Sequence, residues 1–138
     1  MMFQSKFTAF VSSLLLAGSV FAGQAVVICP DINDIKAAGL VNAEEILPNQ
    51  HLTYNISNYN TEFSWGFFIA PVEAETLEEA LETANTVLST MNEQGIPQES
   101  DPMNIMCLYN TGNPHLMAMA VRNPITPGQL KNHFNKFH

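Results

Sequence analysis

The stretch Thr76–Gly95, TLEEALETANTVLSTMNEQG, decides the fold, because every local signal in it agrees. Thr76 followed by Glu79 is a capping box, in which each side chain satisfies an orphan amide of a helix's first turn. Glu78, Glu79 and Glu82 place negative charge at the positive end of the helix dipole. Leu77, Ala80, Leu81, Ala84, Val87, Leu88 and Met91 recur at the spacing of one buried stripe. Gly95 is expected to stop the helix in a left-handed cap, and Pro97 to prevent its resumption. This is a packing helix, and it carries no catalytic signature.

Upstream, His51–Ser57 alternates, with Leu52, Tyr54 and Ile56 on one face. Phe63–Ala70 alternates again, with Phe63, Trp65, Phe67 and Ile69 together. A four-residue loop at 58–61 sets Ile56 opposite Phe63, Tyr54 opposite Trp65 and Leu52 opposite Phe67, so all the large residues share a face. Downstream, Ile96–Pro102 reads as a polar loop. Met103–Tyr109 and Leu116–Arg122 read as a second hairpin around Thr111-Gly112-Asn113-Pro114. Pro30–Ala38 is expected to be a short helix ended by Gly39. Thr126-Pro127-Gly128-Gln129 opens a C-terminal helix whose face carries Leu130, His133, Phe134 and Phe137. Leu40–Gln50 carries no clear pattern beyond the Pro48-Asn49 turn. The expected order is α-β-β-α-β-β-α. It makes an α+β domain with a four-stranded mixed sheet, two hairpins joined by a crossover helix, and helices mainly on one face.

The N-terminus has one positive charge (Lys6), an apolar run from Phe7 to Val20, and Val20-Phe21-Ala22. That is the pattern of a secretory signal peptide over residues 1–22, cleaved after Ala22, and the run is short for a membrane span. Ser19 stands where a lipidated Cys would be needed, which argues against a lipid anchor. The mature chain, Gly23–His138, is then a single domain of periplasmic or secreted location. It keeps four Lys/Arg against thirteen Asp/Glu. No basic cluster survives, which argues against nucleic acid and anionic membrane surfaces. Cys29 and Cys107 are most simply one disulfide in an exported chain; pairing with a partner chain or two free thiols are the alternatives.

The second hairpin is the most suggestive stretch for chemistry. His115, Met117 and Met119 fall on one strand face, with Met106 or Cys107 across from them according to loop parity. Imidazole, thioether and thiol are ligands that Cu(I) prefers, although Met commonly fills core gaps. Haem is the other cofactor to consider. Cys29-Pro30 is a dipeptide found in haem-responsive segments, and His51, Tyr54, Tyr59, Tyr109 and His115 are candidate axial ligands. The ligand-binding set is therefore His115, Met117, Met119 and Tyr109. Hydrolase elbows, zinc-protease helices, phosphate loops and Cys-x-x-Cys pairs do not occur, so no enzyme is expected.

The signal peptide, Cys29-Pro30, Ser64-Trp65-Gly66-Phe67-Phe68 and Cys107-x-Tyr109 together resemble a group of small exported bacterial proteins of unassigned function, some labelled haemin-binding. The resemblance implies a haem-linked or secreted accessory role rather than an activity. Three readings follow. They are a non-catalytic exported binder of haemin or another small hydrophobic ligand, a secreted protein-interaction module, and a periplasmic Cu(I) binder.

Overall fold

The computed structural model describes residues 27–101, 104–122 and 126–137. The secretory leader expected over 1–22 lies outside them, as do Met103 and His138. Among the described residues three helices and six strands follow one another: α1 (Ile32–Ala38), β1 (Asn42–Leu47), β2 (Gln50–Ser57), β3 (Trp65–Glu73), α2 (Leu77–Thr90), β4 (Ile96–Asp101), β5 (Asn104–Tyr109), β6 (Met117–Arg122) and α3 (Pro127–Phe137).

All six strands form one sheet in the order β1-β2-β3-β6-β5-β4, and every adjacent pair is antiparallel. This corrects the expected four-stranded mixed sheet. The two additional strands, β1 and β4, are the sheet's edges. Edge strands tolerate charge and proline, so Glu44 and Glu45 in β1 and Pro97 in β4 hide the period-two pattern. The expected parallel pairing across the central helix does not form. Instead β3 pairs with β6, from Trp65↔Arg122 to Ala70↔Met117, and α2 carries the chain from mid-sheet to the far edge.

Local chemistry sets the helix ends. Asp31 caps α1 by accepting from the Asn33 amide at 2.8 Å, and Gly39, at φ 73°, donates back to Ile35 O. Thr76 caps α2 by accepting from the Glu79 amide at 3.1 Å; Glu79 reaches back to the Glu75 amide at 2.8 Å. The helix ends at Met91 in extended backbone, so Gly95 is not its cap. Gly95 is instead a point of close approach: a Cβ there would lie 2.5 Å from Tyr109 Cζ. In α3 the second capping box forms, with the Gln129 amide donating to Thr126 Oγ1 at 3.2 Å.

The first hairpin has a longer loop than expected. Asn58 Oδ1 accepts from the Asn60 amide, Thr61 N donates to Asn58 O, and Thr61 Oγ1 accepts from Trp65 Nε1 at 3.0 Å. Tyr59 and Asn60 take positive φ. This self-bonded loop delays strand β3 to Trp65, and the register becomes Ser57↔Trp65, Asn55↔Phe67 and Tyr54↔Phe68. The slip is odd, so the large residues divide between faces rather than sharing one. Phe63 stays in the loop beneath the Arg122 guanidinium, 4.1 Å from its ring centroid.

Each face accordingly has its own core. On one, Trp65, Phe67, Ile69, Cys107, Ala118 and Ala120 pack with Ile32 and Ile35 of α1 and with Ala80, Ala84 and Leu88 of α2. On the other, Leu52, Phe68, Met106, Met119 and Val121 pack with Leu130 and Phe134 of α3. Helices thus cover both faces.

Candidate functional site

The loop joining β5 to β6 is built by its own short polar side chains. Asn110 Oδ1 accepts from the Gly112 amide at 2.8 Å, and Gly112 takes φ 79°. Thr111 Oγ1 accepts from the Asn113 amide at 3.1 Å and lies 2.9 Å from Asn113 O. Asn113 Oδ1 accepts from the His115 amide at 2.9 Å, and Leu116 N donates to Asn113 O at 3.0 Å. The side-chain oxygens of Asn110, Thr111 and Asn113 are thus spent on the loop's own backbone, and His115 is exposed.

His115 stands between two hollows. A cleft of about 550 Å³ is formed where the ends of β2 and β3 (Gln50, Pro71, Val72, Glu73) meet Thr83 of α2 and the loop residues Asn113–Leu116. A smaller hollow of about 340 Å³ takes in Leu108, Tyr109, His115 and Met117. The shared wall is Pro114, His115 and Leu116. The lining mixes apolar surface with amide and hydroxyl donors and one imidazole, which suits a ligand with an apolar body and a few polar groups.

Of the four candidate ligands, His115, Met117 and Tyr109 line the smaller hollow. The Tyr109 hydroxyl is occupied, donating to Pro30 O at 2.6 Å. Burial, then the charges of Tyr59 and Asp31, push its ionisation well above the usual tyrosine range. Met119 is buried in the core under α3, and Leu108 is its cross-strand partner. Met106 shares that face, and Cys107 points to the other, where it is disulfide-bonded to Cys29. The pairing expected between Cys29 and Cys107 is therefore present, and Cys107 is not available as a thiolate ligand.

The remaining haem-ligand candidates are placed as follows. His51 is buried with Nδ1 3.4 Å from Val72 O. Tyr59 donates to Asn55 O at 3.1 Å, and burial raises its pKa. Tyr54 is half-buried, with its pKa raised by burial and by Glu44. His133, which the sequence placed on the apolar face of the C-terminal helix and not among these candidates, is buried in α3. Among the described residues no group of three or more His, Cys, Asp or Glu is placed to hold a metal ion. Gln50, Pro71, Glu73 and Thr83 were not foreseen as lining residues. Their convergence depends on strand register and helix placement, and no local motif carries either.

Among the described residues no helix is long and apolar enough to cross a membrane. No curated protein and no solved structure matches the chain. A family model does match, over residues 28–133, a span that takes in the disulfide, all six strands and most of α3. The chain therefore belongs to the DUF4949 family, a domain of unknown function.

Proposed function

We propose that this chain is an exported, non-catalytic binding protein, periplasmic or secreted, that takes a small and largely hydrophobic ligand in the cleft beside His115, with haemin the first ligand to test. The observation that carries this reading is the exposed His115, at the junction of the 550 Å³ and 340 Å³ hollows, whose ring makes no hydrogen bond among the described residues. Neutral imidazole is a good axial ligand for haem iron. Gln50, Thr83 and Asn113 line the same cleft and offer donors to carboxylates at a ligand's edge. The disulfide fits an oxidising compartment outside the cytoplasm.

Haemin titration tests the reading. A Soret shift that saturates at micromolar haemin is expected, lost in His115→Ala and weakened in Met117→Ala. No shift at that concentration overturns haemin as the ligand. A shift unchanged in His115→Ala overturns the site. Tyr109→Phe is a poor probe here, because it removes the bond to Pro30 as well.

A second reading, a protein-interaction module, is favoured by the two edge strands, β1 and β4, each paired on one side only within the sheet. Such edges accept an added strand from a partner. Reproducible capture of one envelope or host protein, abolished by proline in β1 or β4, supports it. The Cu(I) reading has less support, since Cys107 is disulfide-bonded and Met119 is buried.

A further inference from the structure

We propose that the ligand taken beside His115 is an extended peptide segment lying across one end of the sheet, with an apolar side chain in the smaller hollow and a basic one toward Glu73. This rests on the reading that the cleft beside His115 binds a ligand, and it gives that ligand a class.

The sheet order places the run. Because every adjacent strand pair is antiparallel, Tyr109 of β5, Met117 of β6, Glu73 of β3 and Gln50 of β2 all lie at the same end of the sheet. Three hollows follow one another along that end. The 340 Å³ hollow shares Pro114, His115 and Leu116 with the 550 Å³ cleft. That cleft shares Gln50 and Glu73 with a third hollow of about 350 Å³ at the β1–β2 turn, Pro48 and Asn49. His115 thus stands on the sill between the first and second hollows, and Gln50 on the sill between the second and third. Strands β5 and β2 are three spacings apart in the sheet, about 14 Å, or about four residues of extended chain. A compact ligand fills one hollow, whereas an extended chain reaches from the first to the third.

The lining changes along the run. Leu108, Leu116 and Met117, all half-buried, give the first hollow an apolar floor that suits one aliphatic side chain. The middle is amide and hydroxyl. The Gln50 and Thr83 side chains make no hydrogen bond among the described residues, and Asn113 uses Oδ1 on the His115 amide while Nδ2 stays unspent. A side-chain amide carries both donors and an acceptor, the complement of the N–H and C=O that each peptide unit presents when it has no sheet partner.

Charge orients the segment. No Lys or Arg lines any of the three hollows, and the exposed Glu73 borders both the second and the third. Its carboxylate makes no hydrogen bond among the described residues. A basic side chain at that end is therefore favoured, and an acidic one is repelled.

The test is NMR of the isotope-labelled mature protein, titrated with blocked pentapeptides that carry leucine at one end and lysine at the other, in both sequence orders. In at least one order the Met117 methyl, the His115 ring and the Gln50 and Ala74 amides are expected to shift along one saturation curve. Exchanging the peptide's lysine for glutamate is expected to weaken binding about fivefold, and Glu73→Gln to remove most of that difference. Shifts confined to Met117 and His115 overturn the extended peptide and leave the cleft as a site for a compact ligand. Silence toward the peptides, beside a haemin response that depends on His115, does the same. Silence toward both peptides and haemin overturns the cleft reading as well. Equal affinity for the lysine and glutamate peptides overturns the placement along Glu73.

Discussion

The Tyr109 hydroxyl donates a 2.6 Å hydrogen bond to the carbonyl of Pro30, the residue that follows the disulfide-bonded Cys29. Strand β5 therefore holds the lead-in to α1 twice, through the Cys107 sulfur and through a phenol two residues away. The Tyr109 ring also packs edge-on against Phe67, 5.5 Å between centroids. Tyr109→Phe keeps that packing and leaves Pro30 O without its donor. Urea unfolding is expected to show a loss of about 1–3 kcal/mol, the usual cost of stranding one buried polar group.

The covalent tether is worth more. Its half-cystines are 78 residues apart, and the chain-entropy model gives about 4–5 kcal/mol for a loop of that length. Cys29→Ser/Cys107→Ser is expected to lose most of that in a denaturant titration. Reductant is expected to destabilise the native protein and leave the double variant unchanged.

Gly66 and Leu130 test how α3 is seated. A Cβ on Gly66 would lie 2.7 Å from Leu130 Cδ2, so the strand lacks a side chain where the helix inserts one. Leu130→Ala is expected to cost about 2–5 kcal/mol, as buried leucine truncations do. Gly66→Ala alone is expected to destabilise by displacing Leu130. In the double variant the new methyl enters vacated space, so the two losses should add to less than their sum, as a double-mutant cycle can measure.

Alkaline pH supplies a test of burial. Tyr59 and Tyr109 both have ionisations raised above the ordinary tyrosine value, near pH 10, chiefly by burial. A raised folded-state pKa means that the unfolded chain releases these protons first. Stability is therefore fully present below pH 10 and falls as pH rises through the folded-state values. Tyrosinate absorbance should appear together with unfolding rather than before it. Tyr59→Phe should reduce the slope.

What the sequence revealed depended on whether the signal was local. The helices were legible because Asp31, Thr76 and Thr126 each cap their own first turn. The Cys29–Cys107 pairing was legible because two cysteines in a chain whose sequence reads as exported leave few partners. Sheet edges were not. Asn42–Leu47 and Ile96–Asp101 are paired on one side, so their composition is free of the alternation that burial imposes. Hairpin register was not legible either. Thr61 bonds to both Asn58 and Trp65, and that lengthens the loop and moves Phe63 out of the strand. His115 was singled out as a candidate ligand-binding residue; the hollow that it borders takes its other walls from β2, β3 and α2. Met119 looked like a ligand from its neighbours, yet its face lies under α3.

The seam between β3 and β6 also governs when the domain can exist at all. Residues 65–70 are completed as a central strand only by residues 117–122, which are made after all the other described strands. Until they emerge, β3 is itself an open edge, and the aromatic residues on either side of it have no second layer. Folding by such distant contacts is slow, because loop closure precedes any reward from pairing. A nascent chain of this design cannot close its sheet until the last of the described strands has been made.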